Sequence, residues 1–337
     1  MHMHATTFGR AAAALIITAL VTACGGGGGS DSQPNGEGTP GAETPTTPMP
    51  SIPAGVPVAY APGSSAALAL GTINGIITRC GYGSMTAVQD LTTAAQAHAK
   101  YEALNGYAID HEEIPGRPGY TGGSHVERIV AAGGAQARAN NASEGIGSWG
   151  GSNGRATTGI LGAPYHLATL LGGWSEIGVG TTPDPDAASF PAGVFSDTVV
   201  LVYGGTRLNT VPTNEVRTFP CEGSTLIPSN GGPERPDPAP ELGGKFGPGL
   251  NFETNKDGGI EVTSISLRNM ATGDMIPVQQ VKGHNLAEVA WRSAWISKGN
   301  LRRETSYRVE ARGNTYSTKN MTGNATAWSK SYTFTTF

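Results

Sequence analysis

The chain has 337 residues, of which 14% are charged, and its formal net charge is −4. Nucleic-acid binding requires a clustered basic surface, and the sequence contains no cluster of Lys and Arg that would form one. A nucleic-acid partner is therefore excluded from the functions we expect, and the length suggests about two domains beyond the N-terminal leader.

The first residues have the pattern of an export signal. Arg10 precedes the small, apolar run Ala11–Ala23, which is shorter than the roughly 20 apolar residues of a membrane-spanning helix. The end of this run and Cys24 resemble a bacterial lipobox, so residues 1–24 are predicted to be a lipoprotein signal peptide with Cys24 as the lipidation site. The alternative is an ordinary secretory signal with an incidental cysteine.

The residue after the cysteine bears on localisation. Gly25, where inner-membrane lipoproteins have Asp, is similar to the outer-membrane sorting pattern. We therefore expect a cell-envelope protein, attached to the outer membrane through its lipid anchor, or else a secreted protein.

Two segments have the composition of linkers. Residues 25–60 are rich in Gly, Ser, Pro and Thr and hold few large apolar side chains, which predicts a disordered spacer. Residues 228–244 are rich in proline and predict a second linker. The folded parts are then residues 61–227 and residues 245–337.

The first folded region begins with helical patterns and ends with strand patterns. This order predicts an α+β domain rather than a doubly wound sheet. Apolar residues recur at helical spacing within 70–77, 88–98, 126–130 and 160–171, and strand-like runs follow at 176–180 and 198–203.

Three parts of this region together are similar to one known family. Leu91–Ala99 followed by His111 resembles a helix with an A-x-x-H-A core and a loop histidine. Arg128–Gly133 followed by Ser143–Ile146 resembles R-x-x-x-A-G and E-N-I segments, and Pro164–Leu171 running into Glu176–Gly180 resembles H-R-x-x-I-L and E-I-G-V-G. By the order and spacing of these parts the region is identified as a member of the CAP superfamily, which includes many bacterial SCP-like proteins.

The resemblance implies an α-β-α sandwich with a cleft that gathers two histidines and two glutamates. His111, Glu144 and His166 match three of these positions. Two imidazoles and a carboxylate suit a divalent metal such as Zn with one open position, and the same three residues are the candidate catalytic groups. Without metal they would form a hydrogen-bonded network.

The fourth position departs from the family pattern. The helix before His166 contains no carboxylate, and Gly145 replaces the family's asparagine. Glu112 and Glu113, beside His111, are the candidates to substitute for the missing glutamate, although their position favours a solvated loop.

The remaining histidines and serines have weaker patterns. His98 lies on the apolar stripe of its helix, which favours a buried, hydrogen-bonded histidine. His125 is expected near the cleft, and His284 belongs to the C-terminal domain. Neither Ser124 nor Ser143 lies in a nucleophile-elbow pattern, so a serine hydrolase is not expected.

Once Cys24 is assigned to lipidation, Cys80 and Cys221 are left as a pair in an oxidising compartment, and we predict a disulfide between them. The alternatives are two free buried thiols, or Cys80 acting as a nucleophile.

The last 93 or so residues change to a strand-like period of two. Leu301, Thr305, Tyr307 and Val309, together with the terminal stretch 332–336, resemble bacterial Ig-like or fibronectin-III-like modules. The resemblance implies a small β-sandwich over residues 245–337 in which Tyr307 forms a tyrosine corner.

Three functions stay open. The first is an envelope protein whose cleft binds a metal ion or a small ligand. The second is a metal-assisted hydrolase acting on an extracellular peptide, ester, glycan or other envelope polymer. The third is a structural envelope protein whose cleft is vestigial, filled by side chains, with His111 and His166 too far apart to share a ligand.

Overall fold

A computed structural model of the protein describes residues 52–106, 110–149, 155–182, 197–206, 211–232, 234–283, 286 and 289–337. The predicted signal peptide with Cys24, most of the first predicted linker, and His284 lie outside the described residues. Within the described part of the chain, no helix is both long enough and apolar enough to span a membrane.

The helices lie in the N-terminal half, where the apolar periodicity predicted them. Ser64 caps the first helix, since its side chain accepts a hydrogen bond from the backbone N–H of Ala67. Ile73, Ile76 and Ile77 of the predicted apolar stripe are buried. The helices are α1 (Ser65–Arg79), α2 (Gln89–Leu104), α3 (His125–Ala131), α4 (Gln136–Ala139), α5 (Arg155–Gly162) and α6 (Pro164–Leu170).

The single helix predicted over residues 160–171 is wrong in one respect, because α5 and α6 are separate helices. Ala163 between them has extended backbone angles, with φ −91° and ψ 108°. A proline disfavours the helical conformation of the residue before it, and Pro164 then occupies the first turn of α6, where it is well tolerated. The break gives α6 its own N-terminus.

One four-stranded sheet lies among these helices, in the order β1-β3-β4-β2. Its short edge strand β1 is parallel to β3, and the other pairs are antiparallel. The sequence predicted β3 and β4 but not β2, whose glycines have low strand propensity. The strands are β1 (Thr86–Ala87), β2 (Ser143–Trp149), β3 (Glu176–Thr182) and β4 (Asp197–Gly204).

Alternate residues of β4 face two different apolar layers. Val199 and Leu201 pack in a core with α1, α5 and α6, whereas Val200 and Val202 pack in a core with α2 and α3. The sheet therefore lies between two helical layers, and the chain is a mixed α and β protein, as predicted.

Two glycines of β3 allow α2 to approach the sheet closely. A Cβ atom built on Gly178 would lie 2.0 Å from the carbonyl carbon of Leu91, and one on Gly180 would lie 2.1 Å from the carbonyl oxygen of Ala95. These neighbours are backbone atoms of α2, which cannot rotate away. The helix and the strand therefore pack at a distance that only glycine permits at both positions.

Gly178→Ala is expected to lower the free energy of unfolding by about 1–3 kcal/mol or more, because the added methyl group forces α2 away from the sheet. Urea unfolding followed by circular dichroism measures this. Gly75→Ala is the matched control: Gly75 lies on the exposed side of α1 with no atom within 4 Å of an added Cβ, so stability should rise by up to about 1 kcal/mol. Equal stability of the two variants would contradict the close packing.

The C-terminal part of the chain forms two further sheets. They have the strand orders β10-β11-β7-β5 and β6-β13-β12-β8-β9. The strands are β5 (Arg217–Phe219), β6 (Ser224–Ile227), β7 (Leu250–Glu253), β8 (Gly259–Asn269), β9 (Met275–Ile276), β10 (Val278–Gln280), β11 (Arg292–Ser297), β12 (Ser306–Tyr316) and β13 (Thr326–Thr336).

The predicted alternation of β12 and β13 is confirmed. Tyr307 and Val309 of β12 are buried in one core with Phe334 of β13, and the two strands pair throughout their length. The hydroxyl of Tyr307 accepts a hydrogen bond of 2.8 Å from the backbone N–H of Arg302, which is the local contact expected of a tyrosine corner.

The structure divides the chain differently from the predicted boundaries at 227 and 244. Strands β5 and β6 precede residue 228, yet they pair with β7 and β13 of the C-terminal sheets. Within the predicted linker, Ala239 is buried and a 3₁₀ turn spans Pro240–Leu242. The described residues from 52 to 337 belong to one compact unit. The predicted boundaries missed this, because strand pairing and packing depend on distant partners that local composition does not reveal.

The predicted disulfide between Cys80 and Cys221 is confirmed, with a Cα–Cα distance of 5.4 Å across a sequence separation of 141 residues. Cys80 caps the end of α1, and Cys221 lies between β5 and β6. The bond therefore joins a helical layer to the C-terminal sheets.

Candidate functional site

The structure brings His111, Glu144 and His166 together in the lining of one cleft with a volume of about 410 Å³. The two imidazole rings stack with their centroids 5.6 Å apart and their planes 19° apart. Nδ1 of His111 lies 3.0 Å from Oε1 of Glu144. Residues from a loop, a strand and a helix therefore converge in this cleft.

Two buried polar residues, His98 and Glu113, hold the loop that carries His111. His98 of α2 has no exposed surface, its Nε2 donates a 2.8 Å hydrogen bond to the carbonyl of Asp110, and its Nδ1 lies 3.0 Å from Glu113. The prediction of His98 as a buried, satisfied histidine is confirmed. This pair holds the backbone next to His111.

The prediction that Glu112 and Glu113 form a solvated loop holds only for Glu112. Glu113 is buried and accepts hydrogen bonds from the backbone N–H groups of Thr121 and Gly122 as well as contacting His98. A charged side chain is buried only where partners satisfy it, and here the returning loop supplies them. Neither residue replaces the missing glutamate of the cleft.

Glu144 is held in its charged form behind His111. Nη2 of Arg128 donates to both carboxylate oxygens, at 2.9 and 2.8 Å, and also donates to the carbonyl of His111 at 3.0 Å. Burial raises the pKa of Glu144, but the hydrogen bond from His111 and the positive charge of Arg128 outweigh it and lower the pKa to about 2. Glu144 therefore accepts hydrogen bonds at neutral pH and is no proton donor.

The carboxylate that serves His166 is Glu234, from the segment predicted to be a linker. Its Oε1 lies 2.7 Å from Nδ1 of His166, and its two oxygens accept hydrogen bonds from the backbone N–H groups of Tyr165 and His166 at 3.0 and 2.8 Å. Those N–H groups belong to the first turn of α6 and have no partner within the helix. Sequence reasoning missed Glu234, because an acidic residue between prolines is ordinary in a linker.

The other end of α6 is also held by the C-terminal part of the chain. Arg292 of β11 donates from Nη1 to the carbonyl of Ala168 and from Nη2 to the carbonyl of Leu171 at 3.0 Å. Its Nε lies 2.6 Å from Glu253, a residue with no exposed surface. The helix that carries His166 is therefore capped at both ends by residues that follow it by more than 60 positions.

His111 and His166 have the same hydrogen-bonding pattern. A carboxylate accepts at Nδ1 of each ring, so Nδ1 carries the hydrogen and the neutral ring has its lone pair on Nε2. No hydrogen bond to another described residue engages either Nε2. A carboxylate behind the far nitrogen is the support that metal-binding histidines normally have, since it fixes the tautomer and raises ligand basicity.

His125 lines the same cleft, as the sequence suggested, without joining the stacked pair. Burial lowers the pKa of His125, and this effect exceeds the opposing attraction of Glu144, so the ring is neutral near pH 7. The cleft lining also includes Arg235, Trp291 and Arg292, which the sequence did not single out.

The described residues contain no group of three or more His, Cys, Asp or Glu side chains placed to hold a metal ion. Any cation in the cleft would therefore have at most two such side chains of the described residues as ligands, and further positions for water or a ligand. Searches against protein-family models and against curated proteins found no match to this chain.

Proposed function

We propose that this chain is an exported, lipid-anchored cell-envelope protein of the CAP superfamily whose cleft binds a divalent cation such as Zn²⁺, together with a small ligand. The observation that carries the proposal is the stacked pair His111 and His166, each supported at Nδ1 by its own buried carboxylate. The third and fourth coordination positions would go to water or to the ligand.

Three features support membership of the superfamily and export. The sheet lies between two helical layers, and the loop histidine, the strand glutamate and the helix histidine occur in the family's order. Glu234 supplies the second carboxylate that the matching segment lacks. The disulfide favours an oxidising compartment, in keeping with the lipobox-like segment that ends at Cys24.

With both histidines assigned to the cation, the geometry favours binding over hydrolysis. A hydrolase of this type needs an acid or base that faces the substrate. The side chains of Glu144 and Glu234 are each only 1% exposed, and both are turned toward histidines and donors of the protein itself. The cleft is open and its histidines are adjacent, which also argues against a vestigial, side-chain-filled cleft.

The C-terminal sheets, which we propose to be an Ig-like module, form part of the cleft rather than a detached spacer. Glu234 and Arg292 cap the helix that carries His166, and Trp291 lines the cleft beside them. A ligand in the cleft would therefore contact both halves of the chain.

The wild-type chain is expected to take up about one equivalent of Zn²⁺, and His166→Ala is expected to reduce this to background, because one imidazole alone is a weak ligand. Elemental analysis after equilibration with Zn²⁺ and gel filtration measures the uptake, and circular dichroism checks the fold. His125→Ala is the matched control, a cleft histidine outside the stacked pair, and should retain the metal.

If the wild-type chain carries no metal after equilibration with Zn²⁺, or if His166→Ala retains as much metal as His125→Ala, the cation site is wrong. Absence of both metal and any added ligand would leave the structural envelope role as the better description.

A further inference from the structure

The cleft presents basic groups to its opening and hides its acidic ones. The side chains of His111 and His166 are 49% and 19% exposed, whereas those of Glu144 and Glu234 are each 1% exposed. Both carboxylates are already engaged by arginine, imidazole or backbone donors. A molecule entering the cleft therefore meets the two imidazole rings and no free carboxylate.

Arg235 is the cation available to such a molecule. It lines the cleft, its side chain is exposed, and no hydrogen bond or ion pair joins it to another described residue. Arg292, the other arginine of the lining, is buried and bonded to Glu253, Ala168 and Leu171. The carboxylate of the neighbouring Glu234 contacts the N-terminus of α6 and the ring of His166 instead of Arg235.

An apolar surface adjoins these charges. Trp291 is partly buried in the cleft wall, and the guanidinium carbon of Arg292 lies 4.4 Å from its ring centroid. An indole face packs against the uncharged part of an organic ligand, while a guanidinium binds two oxygens of a planar or tetrahedral anion. The lining thus pairs an anion-binding group with an apolar one.

We infer that the cleft binds a small organic oxyanion, a carboxylate or a phosphate, and that Arg235 is its principal anchoring cation. The inference rests on the proposed function in that it concerns the same cleft. With a cation on the two histidines, the anion would also fill the open coordination positions. Without one, Arg235 remains as the donor. The two sources of this chemistry are a peptide's terminal carboxylate and a phosphate group.

Calorimetric titration of the full chain tests this with three probes: N-acetyl-dialanine, its uncharged C-terminal amide, and inorganic phosphate. Each is titrated into Zn²⁺-equilibrated protein and into chelator-treated protein. At least one anion should bind, the amide should not, and Arg235→Gln should weaken the anion about 10-fold or more. Arg303→Gln, an exposed arginine outside the cleft lining, is the control and should bind as wild type does.

The outcomes separate this inference from the metal proposal. Anion binding that Arg235→Gln weakens supports the inference, whether or not metal is bound, and the tighter probe identifies the carboxylate or the phosphate source. Equal affinity in Arg235→Gln and wild type overturns it, as does equal affinity for the amide. Zn²⁺ uptake without binding of either anion overturns this inference and leaves the proposed cation site intact.

Discussion

Replacing Cys80 and Cys221 together with alanine is expected to lower the free energy of unfolding by about 4–5 kcal/mol. The disulfide closes a loop with a sequence separation of 141 residues, and the chain-entropy relation gives about 5 kcal/mol for a loop of that length. The bond also joins the end of α1 to the C-terminal sheets. Without it, only non-covalent packing holds these two parts of the molecule together.

The measurement is thermal or urea unfolding of the wild type and the double variant, each with and without a reducing agent. Wild type in reductant should unfold like the double variant, with a Tm lower by about 10–20 °C. The double variant is its own control, because reductant should not change it. Identical unfolding of wild type and variant under oxidising conditions would show that the bond contributes no stability.

Glu144→Gln is expected to lower the free energy of unfolding by about 3 kcal/mol near neutral pH. The substitution removes the carboxylate that pairs with the buried guanidinium of Arg128 and leaves that charge without its main partner. It also replaces the charged acceptor at Nδ1 of His111 with a neutral amide, so we expect weaker Zn²⁺ uptake as well.

Glu144 also makes the free energy of unfolding depend on pH. The pKa of Glu144 is lowered from 4.5 to about 2 in the folded chain, so the stability it contributes is complete above about pH 4.5 and is lost as the pH falls through about 2. The shift corresponds to roughly 3 kcal/mol. The difference in stability between wild type and Glu144→Gln should therefore be largest near pH 7 and small near about pH 2.

Urea unfolding of both proteins across this pH range measures the effect. Glu112→Gln is the matched control, a neighbouring exposed glutamate, and its stability should stay within about 0.5 kcal/mol of wild type. A difference between wild type and Glu144→Gln that does not shrink in acid would contradict the assigned pKa.

The local pattern predicted the longer helices and several of the strands, because each of these is encoded by its own residues. The apolar spacing of Ile73, Ile76 and Ile77 placed α1, and the alternation around Tyr307 and Val309 placed β12. Strand β2 was missed because its glycines weaken the local signal and its stability comes from pairing with β4. Strands that are stabilised mainly by pairing with a distant strand are the ones that local sequence patterns fail to predict.

The candidate site divides in the same way. His111, Glu144 and His166 were identified from the sequence through their resemblance to a family pattern, and the structure places them in one cleft. Glu234 and Arg292 were not, since nothing near them in the sequence indicates that they cap α6. Their roles are set by the backbone N–H and carbonyl groups of α6 to which they are hydrogen-bonded in the folded chain.

The sequence by itself predicted an export-like leader, which remains a prediction, and it identified several helices and strands, the cysteine pair and three of the cleft's polar residues. Only the tertiary structure decided which carboxylate supports His166, that residues 217–227 belong to the C-terminal sheets, and that those sheets form a wall of the cleft. The reason is physical: periodicity and spacing act over a few residues, whereas the N-terminus of α6 selects its carboxylate by proximity in the folded chain.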